Sequence, residues 1–128
     1  GKIENIIINL IESNNKLNKL LFLGGFYNGG TINKFVINYE VPIYGVQSIT
    51  GLVYRNENNG IITNGYVIGE NIKAVSSIDG RHIANISVLN MGNAVVKNIY
   101  TLVGIDTEGN SNEKYIGHIT SEMDHNAI

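Results

Sequence analysis

The sequence predicts an all-β fold, a right-handed parallel β-solenoid of about four coils, on three observations. A short motif recurs along the chain, its copies are about thirty residues apart, and the intervening residues favour strands and tight turns. The copies begin at Gly1, Gly30, Gly60 and Ala94, which are 29, 30 and 34 residues apart. Repeats of this length are typical of folds in which one unit cannot bury its apolar face alone, so that stacking of the units forms the core.

Alignment of the four copies places aliphatic side chains in matching positions. One such column consists of Ile3, Ile32, Ile62 and Val96. A second consists of Ile8, Ile37, Val67 and Thr101. Parallel strands in successive coils would stack like side chains at the strand spacing of about 4.8 Å, and we expect these aliphatic columns to face inward.

A third column carries amides and consists of Asn5, Lys34, Asn64 and Asn98. Buried side-chain amides can pair with the coils above and below as a ladder, which predicts that Asn5, Asn64 and Asn98 are buried. Lys34 interrupts the column, and it indicates either a corner open to water or an error in the alignment. Gly30 and Gly60 at the repeat starts suit tight corners, whereas Ala94 predicts a different turn in the fourth coil.

Further strands are predicted between the copies. Residues 20–27, 48–54 and 83–89 are rich in strand-forming residues, and each stretch is followed by an Asn/Gly turn. A third short strand is predicted at Ile43–Gly45 and at 74–78. Each coil therefore contains at least two strands joined by a corner.

Length and composition restrict the possible classes of protein. The 128 residues fit a single repeat-built domain spanning 1–128. A net charge of -2 without a basic cluster argues against a nucleic-acid partner. No apolar stretch approaches the roughly 18 to 20 residues that span a bilayer, so we expect no membrane insertion. The absence of cysteine excludes disulfides and thiolate metal sites.

The alternative architecture is a β-trefoil, which also suits a chain of this length with repeated units. A closed barrel would remove the sheet edges that an uncapped solenoid exposes. Spacings near 40 residues and three equal copies would favour the trefoil, and the observed spacings favour the solenoid. Because neither end offers a cap, we expect the chain to be a piece of a longer surface protein.

The third copy resembles a known bacterial repeat. The run Gly51-Leu52-Val53, then Asn58-Asn59-Gly60, then Ile62, Asn64, Tyr66 and Gly69 resembles the GLUG repeat of bacterial surface proteins. The arrangement is also similar to the non-catalytic region of the secreted zinc metallopeptidases of Gram-positive cocci that cleave immunoglobulin A1. This resemblance implies an extracellular or cell-wall-attached scaffold or substrate-recognition module, with immunoglobulin A1 or another host protein and the neighbouring domains of the parent chain as partners. The alternative is an adhesin or surface stalk module that binds a host protein or glycan.

Residues 121–125 are one residue away from the His-Glu-x-x-His motif of zinc peptidases. Ser121 stands where the first histidine would be, and a serine is a poor zinc ligand. The serines lack a Gly-x-Ser-x-Gly context, and no phosphate loop or calcium-binding spacing is present. We therefore expect no catalytic residue, no metal site and no cofactor in this chain, although the resemblance implies a zinc metalloendopeptidase as the parent protein.

Four tyrosines are candidates for contact with a partner protein, since tyrosine on a rigid sheet provides a flat amphipathic surface. These are Tyr39, Tyr54, Tyr66 and Tyr100. Tyr66 and Tyr100 occupy the same repeat position. The alternative for all four is a structural role, in which they cover the outer face of a strand or pack under a neighbouring loop.

Overall fold

A computed structural model describes residues 1–11, 20–22, 25–45, 48–74, 82–106, 115–124 and 126–128. The described residues form β-strands and no helix, which confirms the all-β prediction. The strands are β1 (Lys2–Leu10), β2 (Leu20–Phe22), β3 (Gly25–Asn28), β4 (Thr31–Tyr39), β5 (Ile43–Gly45), β6 (Ser48–Thr50), β7 (Val53–Asn56), β8 (Ile61–Gly69), β9 (Ile72–Ala74), β10 (His82–Ala84), β11 (Ser87–Asn90), β12 (Val95–Thr101), β13 (Ile105–Asp106), β14 (Tyr115–Gly117) and β15 (Thr120–Met123).

These strands form four parallel sheets. Sheet 1 has the order β1-β4-β8-β12, sheet 2 β13-β9-β5, sheet 3 β14-β10-β6-β2 and sheet 4 β15-β11-β7-β3. From β4 onward the chain adds one strand to sheets 1, 2, 3 and 4 in turn, and then begins the same order again. None of the four sheets in the described part of the chain closes on itself, whereas a trefoil contains a closed barrel.

The register of sheet 1 matches the columns of the sequence alignment. Ile3 pairs with Ile32, Ile32 with Ile62, and Ile62 with Val96. Ile32 and Ile62 are buried, as expected for an inward column, but Ile3 is 46% exposed because β1 has a strand on one side only. Equivalent residues of successive repeats therefore stack above one another even though the repeats differ in length.

The column of Asn5, Lys34, Asn64 and Asn98 lies at a bend in sheet 1, and the prediction that its amides are buried is wrong. All four side chains are exposed. Their backbone φ angles are 60°, 56°, 57° and 54°, which is the left-handed region. Asparagine adopts this conformation more readily than most residues, so the repeated amide marks a backbone bend. We call these four residues the corner column.

The bend also reverses which side chains face the core. After an inward Ile32, strict alternation would point Val36 inward and Tyr39 outward. The extra residue at the bend shifts the alternation by one, so that Phe35, Ile37 and Tyr39 are buried. Tyr39 is only 1% exposed and cannot contact a partner protein, which corrects its assignment as a binding residue.

A buried ladder of amides does exist, at the end of sheet 4. Asn28, Asn56 and Asn90 pair in register and are buried. The Asn28 Nδ2 group donates to Asn56 Oδ1 at 2.9 Å, and the Asn56 Nδ2 group donates to Asn90 Oδ1 at 2.8 Å. Asn56 Nδ2 also donates to the carbonyl of Val95 at 3.2 Å. This buried amide ladder therefore links sheet 4 to sheet 1 and satisfies polar groups that would otherwise be costly to bury.

Two of the three stretches predicted as second strands, 48–54 and 83–89, are each divided by a two-residue corner between sheets 3 and 4. The corner at 51–52 separates β6 from β7, and the corner at 85–86 separates β10 from β11. A side chain at Gly51 would overlap the Asn85 carbonyl oxygen and the Tyr39 hydroxyl. The Asn85 side chain donates to the carbonyl of Val103 at 3.2 Å. The glycine thus permits the chain to turn directly against the core.

The predicted third strand is present as β5 at Ile43–Gly45 and as β9 at Ile72–Ala74. The remainder of the predicted stretch, 75–78, lies outside the described residues. Ile43 and Ile72 pair in register and are fully buried. Together with Ile37, Ile62 and Val67 they belong to the hydrophobic core between the sheets.

We predict that Asn56→Ala lowers the free energy of unfolding by about 1 to 3 kcal/mol, because the substitution removes the donor to the buried Asn90 oxygen. Urea-induced unfolding measures the change. Asn64→Gly is the control, since Asn64 is exposed and glycine accepts its left-handed backbone, and we expect a change within about 0.5 kcal/mol. If Asn56→Ala and Asn64→Gly lowered the free energy of unfolding equally, the conclusion that Asn56 belongs to a stabilising buried ladder would be contradicted.

We predict that Tyr39→Phe raises the free energy of unfolding at neutral pH by about 1 kcal/mol, because the buried hydroxyl has no hydrogen-bond partner in the described structure. Burial raises the pKa of Tyr39 above its ordinary value. The folded protein therefore resists ionisation, and stability falls as the pH rises above the unfolded pKa of about 10. Unfolding measured from neutral to alkaline pH should show a weaker decline in the variant, and an unchanged decline would contradict this. Tyr66→Phe, at an exposed position, is the control.

Candidate functional site

A groove crosses the outer face of sheet 1. On one side it is bounded by the corner column and on the other by Ile7, Val36, Tyr66 and Tyr100, which pair in register. A depression of about 410 Å³ lies over β1, β4 and β8, and another of about 280 Å³ lies over β8 and β12. Both are lined by Asn64 and Tyr66, so they form one surface, which we call the sheet 1 groove.

Two tyrosines form an exposed aromatic pair beside this groove. The rings of Tyr66 and Tyr100 are 6.0 Å apart between centroids and meet edge to face at 66°. The two residues are 53% and 51% exposed. Edge-to-face contact is a favourable arrangement of aromatic rings, and it restricts the orientations that each ring can adopt. The pair therefore presents a large amphipathic surface on a fixed backbone.

Phe35 and Gly65 lie between the two sides of the groove. They occupy the same position in neighbouring strands, and the Phe35 ring lies directly against Gly65. A Cβ atom at Gly65 would overlap this ring, so the glycine permits Phe35 to remain buried. Phe35 belongs to the core cluster, which supports the groove from beneath with tightly packed side chains.

A row of hydrogen-bonded amides begins beside the groove at Asn98 and Asn64 and continues beyond it to Asn33. The Asn98 Nδ2 group donates to Asn64 Oδ1 at 3.1 Å, and the Asn64 Nδ2 group donates to Asn33 Oδ1 at 2.8 Å. Asn33 Nδ2 in turn donates to Glu4 at 3.2 Å. Each NH2 group has two hydrogens and each amide oxygen two lone pairs. The row can therefore offer both donors and acceptors to a bound molecule while its side chains hold each other in place.

Glu4 ends this row and carries a negative charge on the outer face of β1. Its carboxylate lies 2.9 Å from the Lys2 ammonium. Hydrogen bonding to Lys2 and then to Asn33 lowers the pKa of Glu4. The carboxylate is therefore ionised at neutral pH, and it gives the first strand of sheet 1 a defined charge at this position.

The remaining predicted tyrosine, Tyr54, lies on sheet 4 and is half-buried. The Arg55 guanidinium lies 6.0 Å from its ring centroid and 5.8 Å from that of Tyr27. Tyr27 is exposed and was missed by the sequence interpretation, because no other repeat has a tyrosine in its register position. The structure thus brings together only Tyr66 and Tyr100 of the four candidates.

The first three residues of the segment resembling a zinc motif, 121–123, belong to a strand. Ser121 and Glu122 belong to β15. The Ser121 hydroxyl donates to the Val88 carbonyl at 2.8 Å, and the Glu122 carboxylate lies 3.2 Å from His82 Nδ1. His125 lies outside the described residues. Among the described residues, no group of three or more His, Cys, Asp or Glu side chains is arranged to hold a metal ion.

The described ranges also contain no helix that is long and apolar enough to cross a membrane. The outer face of sheet 1 combines the groove, the tyrosine pair and the amide row, and it is the candidate binding surface of this chain. Comparison with protein-family models, with curated proteins and with solved structures finds no match to this chain.

Proposed function

We propose that the chain is a right-handed parallel β-solenoid of about four coils that serves as a non-catalytic protein-binding module. The repeated order of the four parallel sheets and the common register of sheet 1 support this architecture. Long-range backbone pairing makes such a stack a rigid support. A solenoid also produces extended surfaces across its strands, which repeat proteins use for binding.

The exposed tyrosine pair beside the groove is the observation that carries the binding role. Tyr66 and Tyr100 present large side chains to solvent and are already in contact with each other. Tyrosine has few rotatable bonds, and a restricted ring loses little conformational entropy when a partner covers it. Such residues commonly contribute most of the energy of a protein interface.

The GLUG-like repeat supports a more specific role in a secreted bacterial protein. In this proposal the chain is a scaffold or substrate-recognition module of an immunoglobulin A1-specific zinc metalloprotease. The groove on sheet 1 contacts the antibody, and another domain of the parent chain performs the cleavage. In this proposal the module is extracellular or attached to the cell wall.

We expect the isolated chain to bind immunoglobulin A1, and we expect Tyr66→Ala and Tyr100→Ala each to weaken binding about fivefold or more, since central tyrosines often contribute over about 1 kcal/mol. Surface plasmon resonance with immobilised antibody measures the dissociation constants. Tyr27→Ala is the matched control, because Tyr27 is equally exposed but lies on sheet 4. Its affinity should equal that of the unmodified chain.

Absence of antibody binding would contradict the recognition role. Binding of a different host protein or of a glycan, with the same sensitivity to Tyr66 and Tyr100, would instead support the adhesin alternative. Equal affinities in all three alanine variants would show that the groove is not the contact surface. Deletion of the module from the parent protease should reduce antibody cleavage, and undiminished cleavage would leave only a spacer role.

A further inference from the structure

One residue of the corner column departs from the residue type that its backbone favours. Lys34 has a φ angle of 56°, in the same left-handed region as Asn5, Asn64 and Asn98. Asparagine adopts this conformation more readily than lysine, because its short polar side chain can hydrogen-bond to the nearby backbone. Lysine at this position therefore carries backbone strain, and strained residues of this kind cluster at functional sites.

Lys34 also lies where a bound molecule can reach it. It belongs to β4, an inner strand with β1 on one side and β8 on the other, and its side chain is exposed. It lines the larger depression of the sheet 1 groove, of about 410 Å³. Among the described residues that line this depression, Lys34 alone carries a charge. This part of the groove therefore presents one cation to solvent.

The rest of the described chain does not engage the Lys34 ammonium. No hydrogen bond or ion pair joins it to another described residue. Glu4, on the outer face of β1, is bound instead by Lys2 and Asn33. The hydrogen bond to Lys2 is the main cause that lowers the pKa of Glu4, and the charge of Lys34 is the smallest. An unpaired cation in a groove is complementary to an anionic group of a partner.

Two amides flank this cation in the corner column. Asn5 and Asn64 line the same depression, one strand to either side of Lys34. One hydrogen of the Asn64 Nδ2 group bonds to Asn33 Oδ1 at 2.8 Å, which leaves the second hydrogen for a bound molecule. An ammonium group between amide donors can hold both oxygens of a carboxylate, and such charge-assisted hydrogen bonds are stronger than neutral ones.

The opposite side of the groove is largely apolar in the same two strands. Val36 of β4 and Tyr66 of β8 pair in register, and Phe35 beneath them is buried. Because the Tyr66 ring is exposed, an apolar side chain of a partner that packed on it would remove apolar surface from water. A partner with a carboxylate next to an apolar side chain would therefore match both sides of the groove.

We propose that Lys34 determines the specificity of the sheet 1 groove, which selects an exposed protein segment with an Asp or Glu side chain next to an apolar one. The carboxylate binds Lys34 and the flanking amides, and the apolar side chain packs on Val36 and Tyr66. This inference rests on the proposed protein-binding function and names the chemistry of the partner. It accounts for lysine at a position that the other repeats fill with asparagine, since the charge favours binding although the backbone disfavours the residue.

Selection from a random peptide library displayed on phage tests which segments bind the 128-residue chain. We expect the selected peptides to be enriched in an acidic residue next to an apolar one. Lys34→Asn should weaken their binding about fivefold, because it removes the ion pair. Lys97→Asn is the matched control, since Lys97 is an exposed lysine of sheet 1 that lines neither depression. Its affinity should equal that of the unmodified chain.

The stability of Lys34→Asn should change in the opposite direction to its affinity. We expect a higher urea midpoint of unfolding, because asparagine accepts the left-handed backbone better than lysine. Weaker binding by a more stable variant excludes misfolding as the cause of the loss. A lower midpoint would contradict the strain at Lys34 and overturn this part of the inference.

The selected peptides also separate failure of the inference from failure of the proposed function. Peptides that are sensitive to Tyr66→Ala but lack acidic enrichment, or that bind both lysine variants equally, would overturn the inference and leave the binding role of the groove in place. If no peptide bound, or none lost affinity for Tyr66→Ala, the binding role would be overturned and the inference with it. Binding of uronic-acid oligosaccharides in place of acidic peptides would overturn the protein partner.

Discussion

The buried amide ladder of Asn28, Asn56 and Asn90 is the interaction on which the outer face of sheet 1 depends. It lies at the corner through which the chain passes from sheet 4 to sheet 1. Its side chains bond to each other, and the Asn56 side chain also donates to the backbone of β12 in sheet 1. A buried amide without a partner costs more than a paired one contributes, so the ladder favours a single register. Stacking of the strands, alignment of the corner column and contact between Tyr66 and Tyr100 all require that register.

Periodicity in the sequence was sufficient to predict which strands stack on one another, but not the structural role of each recurring asparagine. Ile3, Ile32, Ile62 and Val96 form a column because aliphatic residues recur at equivalent points of the repeats. Asparagine recurs for two separate reasons. At Asn64 it accommodates a left-handed backbone in water, and at Asn56 it satisfies neighbouring amides in the interior. In a single sequence the two kinds of column look alike, so burial was predicted for the corner column, where Asn98 and Asn64 are hydrogen-bonded to each other but exposed.

Part of the candidate site was also predictable, because equivalent positions of successive repeats lie side by side in sheet 1. Tyr66 and Tyr100 were identified as equivalent because both follow a corner residue by two positions. Tyr39 follows its corner residue by five positions, and the bend turns it into the core. Strict alternation of side chains along each strand would instead point Tyr66 and Tyr100 inward and Tyr39 outward. The groove itself arises from the bend and from Phe35 packing against Gly65, a contact between strands that no local pattern reveals.

The connections between neighbouring sheets differ in how much their length varies from one repeat to the next. Two residues separate the strands of sheets 3 and 4 at 51–52, 85–86 and 118–119, whereas the connections from sheet 2 to sheet 3 span 46–47, 75–81 and 107–114. The uneven spacing of the repeats arises mainly at this second position, and the register of the sheets is unaffected. Insertions and deletions at this junction are therefore decoupled from the stack.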